Sequence, residues 1–362
     1  MNDVYSSSAL NNRRLNKQYR VLVVDDSQFI RRALVRRIEK DPRFKVIDTA
    51  QDGREAVDKA LQLKPDAITL DVEMPIMNGI EALKAIVAKT SIPVIMVSAA
   101  TDAGAKVTLD ALAAGAVDFI PKTKGAEQIH EKLLAAVTSN VARRATPDVA
   151  PVAAPQPQIA PRRIEPVVMR TPPSRLSTKL VIIGSSTGGP QALQHVIGGL
   201  PANMPVPVVV AQHMPEQFTL ALAKRLDETC QPRVVEAKND MALEPGVVYI
   251  APGGMQLRVS TTQLKVSPDR GESLYRPSVD VLADSALQSF GKSVIGVMLT
   301  GMGNDGSKGF VGLRKAGSYN IAQDQASCVV YGMPRSVYEA GGTDEVVPLD
   351  SIAKRLRAIL GV

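Results

Sequence analysis

Only two cysteines, Cys230 and Cys328, occur in 362 residues. They make neither a disulfide framework nor a metal-type spacing, a usage that fits a reducing cytosol. No apolar run approaches the roughly 20 residues a membrane span needs, so no insertion into a bilayer is expected. The first twenty residues are polar and basic and lack the apolar centre of a signal peptide. The formal net charge is +7, yet a basic surface for nucleic acid is missing. Residues 1–20 set Arg13, Arg14, Lys17 and Arg20 against Asp3, and residues 143–178 set six arginines against Asp148 and Glu165. Those two segments carry the whole excess. With no basic-aromatic patch, a nucleic-acid-binding role has little support; a solvated tail and linker, at most weakly attracted to acidic partners, are expected. Histidine is scarce as well, with His130, His195 and His213 alone, so the search for a catalytic base is short.

Residues 146–178 hold eight prolines and no glycine. Such a segment favours extended polyproline II and presents no continuous apolar face, which reads as a semi-rigid linker. Extended at ~3.1 Å per residue, it would reach roughly 100 Å. The chain is long enough for a separate core on either side. The organisation expected is a disordered tail over 1–18, a first domain over 19–140, a Pro-rich linker over 141–178 and a second domain over 179–362.

Before the linker, strand patterns at Tyr19–Val24, Phe44–Thr49, Ala67–Leu70, Val94–Val97 and Ala116–Ile120 alternate with helical ones such as Gln28–Glu39, Arg54–Leu63 and Gln128–Val141. Five βα units of this length predict a flavodoxin-like, doubly wound parallel sheet. After the linker the alternation resumes with strands at 179–184 and 206–211 and helices at 190–199 and 215–228. Runs at 233–236, 247–250 and 256–259 read as a mixed or antiparallel patch. A helix over 278–290 with Ser278 as N-cap and a strand over 293–299 follow. The fold class is α/β in both halves, the second mainly parallel with an antiparallel portion.

In an open parallel sheet, functional groups gather at the carboxyl ends of the strands. In the first half those ends present Asp25 and Asp26, then Asp71, Ser98 and Lys122. Three carboxylates together repel and call for a divalent cation, and hard oxygen ligands suit Mg²⁺. Asp71 is then placed as a nucleophile toward a phosphoryl donor. Mg²⁺ and Lys122 would neutralise charge on the phosphoryl oxygens, and Ser98 would hydrogen-bond one of them. Val-Val-Asp-Asp-Ser (23–27), Leu-Asp-Val-Glu-Met-Pro-Ile-Met-Asn-Gly (70–79), Val-Ser-Ala (97–99) and Phe-Ile-Pro-Lys (119–122) closely resemble the receiver domain of two-component response regulators. The resemblance implies phosphorylation of Asp71 by a histidine kinase, with Asp26 and Asp71 as side-chain metal ligands. Asp25 would act through water, and the Glu73 carbonyl would complete the set. It also implies a coupled movement of Ser98 and Phe119.

In the second half, Val181–Pro190 is an apolar strand running into a glycine-rich turn with Ser186 at the centre of Gly-x-Ser-x-Gly, the setting of an exposed nucleophilic serine. The alternatives are a phosphate cradle or plain turn chemistry. A serine needs a histidine, and the histidine an orienting acid. His130 belongs to the other domain. His195 falls mid-helix, nine residues past Ser186, too far along at ~1.5 Å per residue, and is expected to pack or face solvent. His213 ends the next strand on the same edge as Ser186. Strand Val294–Thr300 runs into Gly-Met-Gly-Asn-Asp-Gly (301–306), which brings Asp305 to that edge. Backbone N–H groups of Thr187 and Met302 are the candidate oxyanion donors. An α/β-hydrolase runs Ser…Asp…His, and no histidine follows His213, so that fold is excluded. A dinucleotide site fares poorly as well, because the glycines are not spaced Gly-x-Gly-x-x-Gly.

Gly-Ser-Ser-Thr-Gly-Gly-Pro (184–190), Gln-His-Met-Pro (212–215), Arg-Pro-Ser-Val-Asp (276–280), Leu-Thr-Gly-Met-Gly-Asn-Asp-Gly (299–306), Ala-Gln-Asp (322–324) and Tyr-Gly-Met-Pro (331–334) resemble the chemotaxis protein-glutamate methylesterase (CheB) family. The resemblance implies Ser186 as nucleophile, His213 as base, Asp305 as orienting acid and Met302 as oxyanion donor. Family members usually carry Ala where this chain has Ser185; Ser186 keeps the central position. Hydrolysis of glutamate methyl esters on chemotaxis receptors, with deamidation of receptor glutamines, is the implied activity, in the cytoplasm at membrane receptor arrays. No cofactor is implied in the second domain. A non-enzymatic response regulator binding a protein or phosphorylated ligand through its glycine loops is the rival expectation.

Overall fold

The computed structural model describes residues 18–99, 101–122, 128–139, 141, 177–269 and 273–362. Nearly all of the expected tail and of the expected linker lies outside them. The chain divides into two compact units, with the main boundary between Thr146 and Pro147 and the stretch Thr101–Leu109 grouped with the second unit.

In the first unit, β1 (Tyr19–Val24), β2 (Phe44–Ala50), β3 (Ala67–Asp71), β4 (Val94–Ser98) and β5 (Asp118–Pro121) form a parallel sheet in the order β2-β1-β3-β4-β5. Between them run α1 (Gln28–Ile38), α2 (Gly53–Leu63), α3 (Gly79–Lys89) and α4 (Asp102–Ala113), and α5 (Ile129–Thr138) closes the unit. Val21–Val24 and Val94–Val97 are buried runs, as expected for strands covered on both faces. Helix starts follow local chemistry: Asp52 accepts from the amides of Arg54 and Glu55, and Asn78 with Glu81 completes a capping box. At Gly79 a Cβ would lie 1.9 Å from the Asp71 carbonyl oxygen. Only glycine therefore lets the start of α3 close on the end of β3. His130 belongs to this packing, bonding the carbonyls of Arg37 and Ile38 at 2.8 and 3.2 Å.

The second unit holds a seven-stranded sheet ordered β14-β13-β12-β6-β7-β9-β8, every pairing parallel. Its strands are β6 (Leu180–Ser185), β7 (Val208–Gln212), β8 (Arg233–Glu236), β9 (Val247–Ile250), β12 (Val294–Met298), β13 (Tyr319–Gln323) and β14 (Glu345–Val347). Its helices are α6 (Gly189–Gly198), α7 (Glu216–Thr229), α8 (Val279–Phe290), α9 (Ser307–Lys315), α10 (Met333–Glu339) and α11 (Leu349–Leu360). The antiparallel portion is a separate hairpin, β10 (Gln256–Val259) with β11 (Leu264–Ser267), plus an isolated bridge between Ala242 and Gln263. This corrects the expectation for 233–236 and 247–250, which join the parallel sheet. β6 lies at the centre with Leu180–Ile183 fully buried, each such side chain contributing about 1.5–3 kcal/mol. His195 sits on α6 as a half-exposed partner of Asp350 at 3.0 Å, a surface pair as expected.

Candidate functional site

β6 and β7 pair in register up to Ser185↔Gln212, and β12 flanks β6 on its other side. Three consecutive sheet positions thus deliver their carboxyl ends to one edge. The turn after β6 is drawn tight from several sides. The Ser186 amide donates to the Thr300 carbonyl at 3.0 Å, and the Gly189 amide to the Ser186 carbonyl at 2.7 Å. Gly188 takes φ 76°, the left-handed region that favours glycine. The His213 amide donates to the Ser185 carbonyl at 3.0 Å, which fixes the two strand ends side by side.

Ser185 and Ser186 are clearly distinguished. Ser185 is fully buried, and its hydroxyl donates to Gln212 Oε1 at 2.7 Å. Ser186 is partly exposed, and its hydroxyl makes no hydrogen bond among the described residues. The buried Gln212 also donates from Nε2 to the carbonyls of Ser186 and His213, both at 3.0 Å. One carboxamide therefore ties together both serines and the histidine. Its room exists because residue 189 is glycine: a Cβ there would stand 1.9 Å from Gln212 Oε1. Gly189→Ala is expected to cost about 1–3 kcal/mol through this overpacking, read as a lower midpoint in urea denaturation.

His213 Nε2–H donates to Asp305 Oδ2 at 2.7 Å. Asp305 is buried and also accepts from Ser278 Oγ (2.8 Å) and from the amides of Val279 (2.7 Å) and Asp280 (3.1 Å). Burial alone would raise its pKa; the His213 bond and charge and the amides at the start of α8 outweigh it and hold the carboxyl below its usual value. An ionised carboxylate only accepts, so Nε2 carries a proton, and whenever the ring is neutral Nδ1 is the nitrogen that keeps the basic lone pair. The His213–Asp305 link is closed. The Ser186–His213 link is open among the described residues, a bond that in many sites tightens only with substrate.

Of the expected oxyanion donors, Thr187 is buried and its carbonyl accepts from Thr300 Oγ1 at 3.0 Å. Met302 lies partly exposed between Gly301 and Gly303. The Gly301 carbonyl takes the amides of Gly332 and Met333 at 3.0 and 2.8 Å, and a Cβ on Gly301 would come within 2.9 Å of Ser186 Cβ. This glycine loop therefore abuts the serine. Ser278 is the N-cap that the sequence predicts, its hydroxyl accepting from the Val281 amide; the sequence does not mark Gln212, Thr300 or Tyr275, and the ring of Tyr275 lies parallel to His213 at 4.3 Å. A polar residue ending an apolar run, as in Val-Val-Val-Ala-Gln, is the one signal that could have marked Gln212.

In the first unit, carboxylate oxygens of Asp25, Asp26 and Asp71 lie within 4.8 Å of one another. Lys122 Nζ reaches Asp71 Oδ2 at 2.7 Å and Asp25 Oδ2 at 3.1 Å. Burial, with the charge of Asp25, pushes Asp71 up to about 6 against the pull of Lys122. Lys122 is itself held above its ordinary value, since the two carboxylates outweigh its burial. Three carboxylates here face the single ammonium of Lys122, an excess of negative charge that a cation would satisfy. The hard-oxygen donor set fits Mg²⁺. Ser98 is buried at the end of β4, donating to the Ala99 carbonyl at 3.3 Å. Phe119 is buried with Lys132 Nζ 5.5 Å from its ring centre.

An acidic acceptor pocket on one sheet and a Ser-His-Asp edge on another define a class: a response regulator whose second unit carries a hydrolase-type site. Residues 21–134 match the response regulator receiver domain, and residues 181–356 match the CheB methylesterase. The chain is 44% identical over 364 residues to protein-glutamate methylesterase/protein-glutamine glutaminase 1 of Saccharophagus degradans, which spans 93% of this chain and 98% of that protein. To the corresponding protein of Thermotoga maritima it is 44% identical over 346 residues, 93% of this chain and 97% of that one. Among solved structures, the Thermotoga maritima CheB methylesterase catalytic domain aligns at 43% identity and a TM-score of 0.48, over 49% of this chain and 97% of that domain. The chain belongs to the CheB methylesterase family.

Proposed function

We propose that this protein hydrolyses glutamate methyl esters on methyl-accepting chemotaxis receptors, and deamidates receptor glutamines, under control of phosphorylation at Asp71. The His213–Asp305 pair, closed on the edge that carries Ser186, is the observation that supports it most. Ser186 Oγ attacks the ester carbonyl while His213 Nδ1 takes its proton. Asp305, held ionised by α8, stabilises the imidazolium. The tetrahedral oxyanion rests on the backbone amides of Thr187 and Met302, aided by the N-terminal end of α6. His213 then returns the proton to the departing methoxide, releasing methanol. Water, deprotonated by the same histidine, resolves the acyl-enzyme to the free glutamate. An amide offers the same acyl centre, with ammonia in place of methanol. These steps use protein groups alone.

In the receiver, residues 19–140, the Asp71 carboxylate accepts the phosphoryl group from a histidine kinase. Asp26 and Asp71 would hold Mg²⁺ directly, with the Glu73 carbonyl and Asp25 through water; the ion supplies charge neutralisation at the transferring group. Lys122 pairs with the phosphoryl oxygens, and Ser98 and Phe119 respond to them. The catalytic domain is residues 179–362. Among the described residues no helix is long and apolar enough to cross a membrane. The protein works from the cytoplasm and meets its substrate at receptor arrays.

The test is methanol release from methylated receptor membranes, with and without a small phosphodonor and Mg²⁺. Wild type is expected to be stimulated, and Asp71→Ala to keep its basal rate without stimulation. Stimulation that survives Asp71→Ala would remove Asp71 from the switch, and a wild type that releases no methanol would leave a binding protein.

A further inference from the structure

We infer that Tyr275 is a positioning residue for His213: its ring lies flat against the imidazole, sets its plane and favours the imidazolium formed during turnover. The inference rests on the reading of His213 as the base. Asp305 holds His213 by one edge, through a single hydrogen bond at 2.7 Å. One such bond leaves the ring free to roll about the Nε2–Oδ2 line, and a roll of that kind would carry Nδ1 away from Ser186. Tyr275 blocks it. The two rings are parallel within 1°, with centroids 4.3 Å apart.

Tyr275 is itself built in. Its carbonyl accepts from Gln256 Nε2 at 2.8 Å, and its amide donates to Ser273 Oγ at 3.1 Å. Gln256 is fully buried, and its Oε1 accepts from the amide of Ser278 at 2.9 Å. Ser278 Oγ in turn donates to Asp305. A single buried carboxamide thus sets both the stacking residue and the chain that anchors the acid. The far end of Tyr275 is located as well: a Cβ on Gly303 would stand 3.1 Å from the phenol oxygen, so the hydroxyl abuts the loop that carries Met302.

The stack has a chemical consequence beyond order. The face of an aromatic ring attracts a cation far more than a neutral group. His213 is neutral before attack on the ester and positive until the leaving group departs, so the stack favours the charged stage. Among the described residues, Asp305, from the loop after β12, pairs with this ring, and Asp280 of α8 lies behind it. The Asp280 carboxylate accepts the Gly309 amide at 2.8 Å rather than facing the imidazole.

The test compares Tyr275→Leu and Tyr275→Phe in the full chain. With three histidines in the sequence, the His213 ring protons can be assigned by NMR against His213→Asn. In wild type they are expected upfield, shielded by the tyrosine ring; Leu should abolish that shift and Phe should restore it. In methanol release with phosphodonor and Mg²⁺, Leu is expected to lower kcat about tenfold with KM within about twofold. The acid limb of its pH–rate profile should move to lower pH, because the imidazolium has lost a partner. Phe should recover both rate and profile. A Leu variant with wild-type kcat and acid limb would overturn the inference, as would a Phe variant as slow as Leu, which would assign the role to the hydroxyl. A His213→Asn protein with wild-type methanol release would instead sink the reading of His213 as base, whatever happens at Tyr275.

Discussion

Replacing Ser186 by alanine is expected to abolish methanol release, a loss on the order of 10⁴-fold or more, with the fold intact. The Ser186 hydroxyl is partly exposed and makes no hydrogen bond among the described residues, so its removal leaves nothing buried and unpaired. Ser185→Ala provides the contrast. The Ser185 hydroxyl is buried against Gln212 Oε1, and losing it strands an acceptor at a cost of about 1–3 kcal/mol. Its rate should fall only modestly, through loosening of the Gln212 ties. Methanol release and thermal melting, measured on both variants, separate the two serines. A dead Ser185→Ala of wild-type stability beside an active Ser186→Ala would make Ser185 the nucleophile.

Asp305→Asn should be nearly as severe, and in two respects at once. The carboxylate accepts four hydrogen bonds, from His213, Ser278 and the amides of Val279 and Asp280. A carboxamide offers one oxygen and turns an N–H₂ toward donors that are already there. It also invites the wrong tautomer of His213. We expect methanol release to fall by about 10³–10⁴-fold and stability at neutral pH by about 3 kcal/mol. The pH dependence has a definite sign. The folded state holds the Asp305 carboxyl below its usual value, so its contribution is complete above the unfolded value and is lost as pH falls through the folded one. The stability gap between wild type and Asp305→Asn should therefore be widest at neutral pH and narrow in acid, as wild type becomes protonated. Urea midpoints that differ equally at pH 7 and pH 3 would argue that Asp305 is not held as a carboxylate.

Much of this was readable in the residues because apolar β-branched runs mark buried parallel strands. In such a sheet the strand end is also where chemistry collects. That rule located Asp25, Asp26, Asp71, Ser98 and Lys122 on one edge. It also located Ser186, His213 and Asp305 on the other, although β6 and β12 are far apart in the chain. What stayed hidden depends on crossings. β8 and β9 pair in parallel through a connection that contains no helix, whereas parallel neighbours normally need a helical crossover; a short link between short strands reads as a hairpin. Gln212 and Gln256 were illegible for a related reason, and of Ser278 only the cap was legible, not its bond to Asp305. A lone polar side chain acquires a role only when strand order brings carbonyls and amides from other segments around it, and that order is not local.

The Gln212 carboxamide has a bearing on how such an enzyme can be governed. Because it grips the backbone of Ser186 and His213 together, nucleophile and base travel as one piece, and no modest motion can part them while that carboxamide stays buried. Control has two openings left: admission of the receptor chain to the edge, or displacement of the separate segments that bring Tyr275 with Ser278 and, after β12, the acid. A regulator acting by the first would alter the rate while leaving amide exchange at Ser186 and His213 untouched, so the mode of command can be told from the protection of two protons.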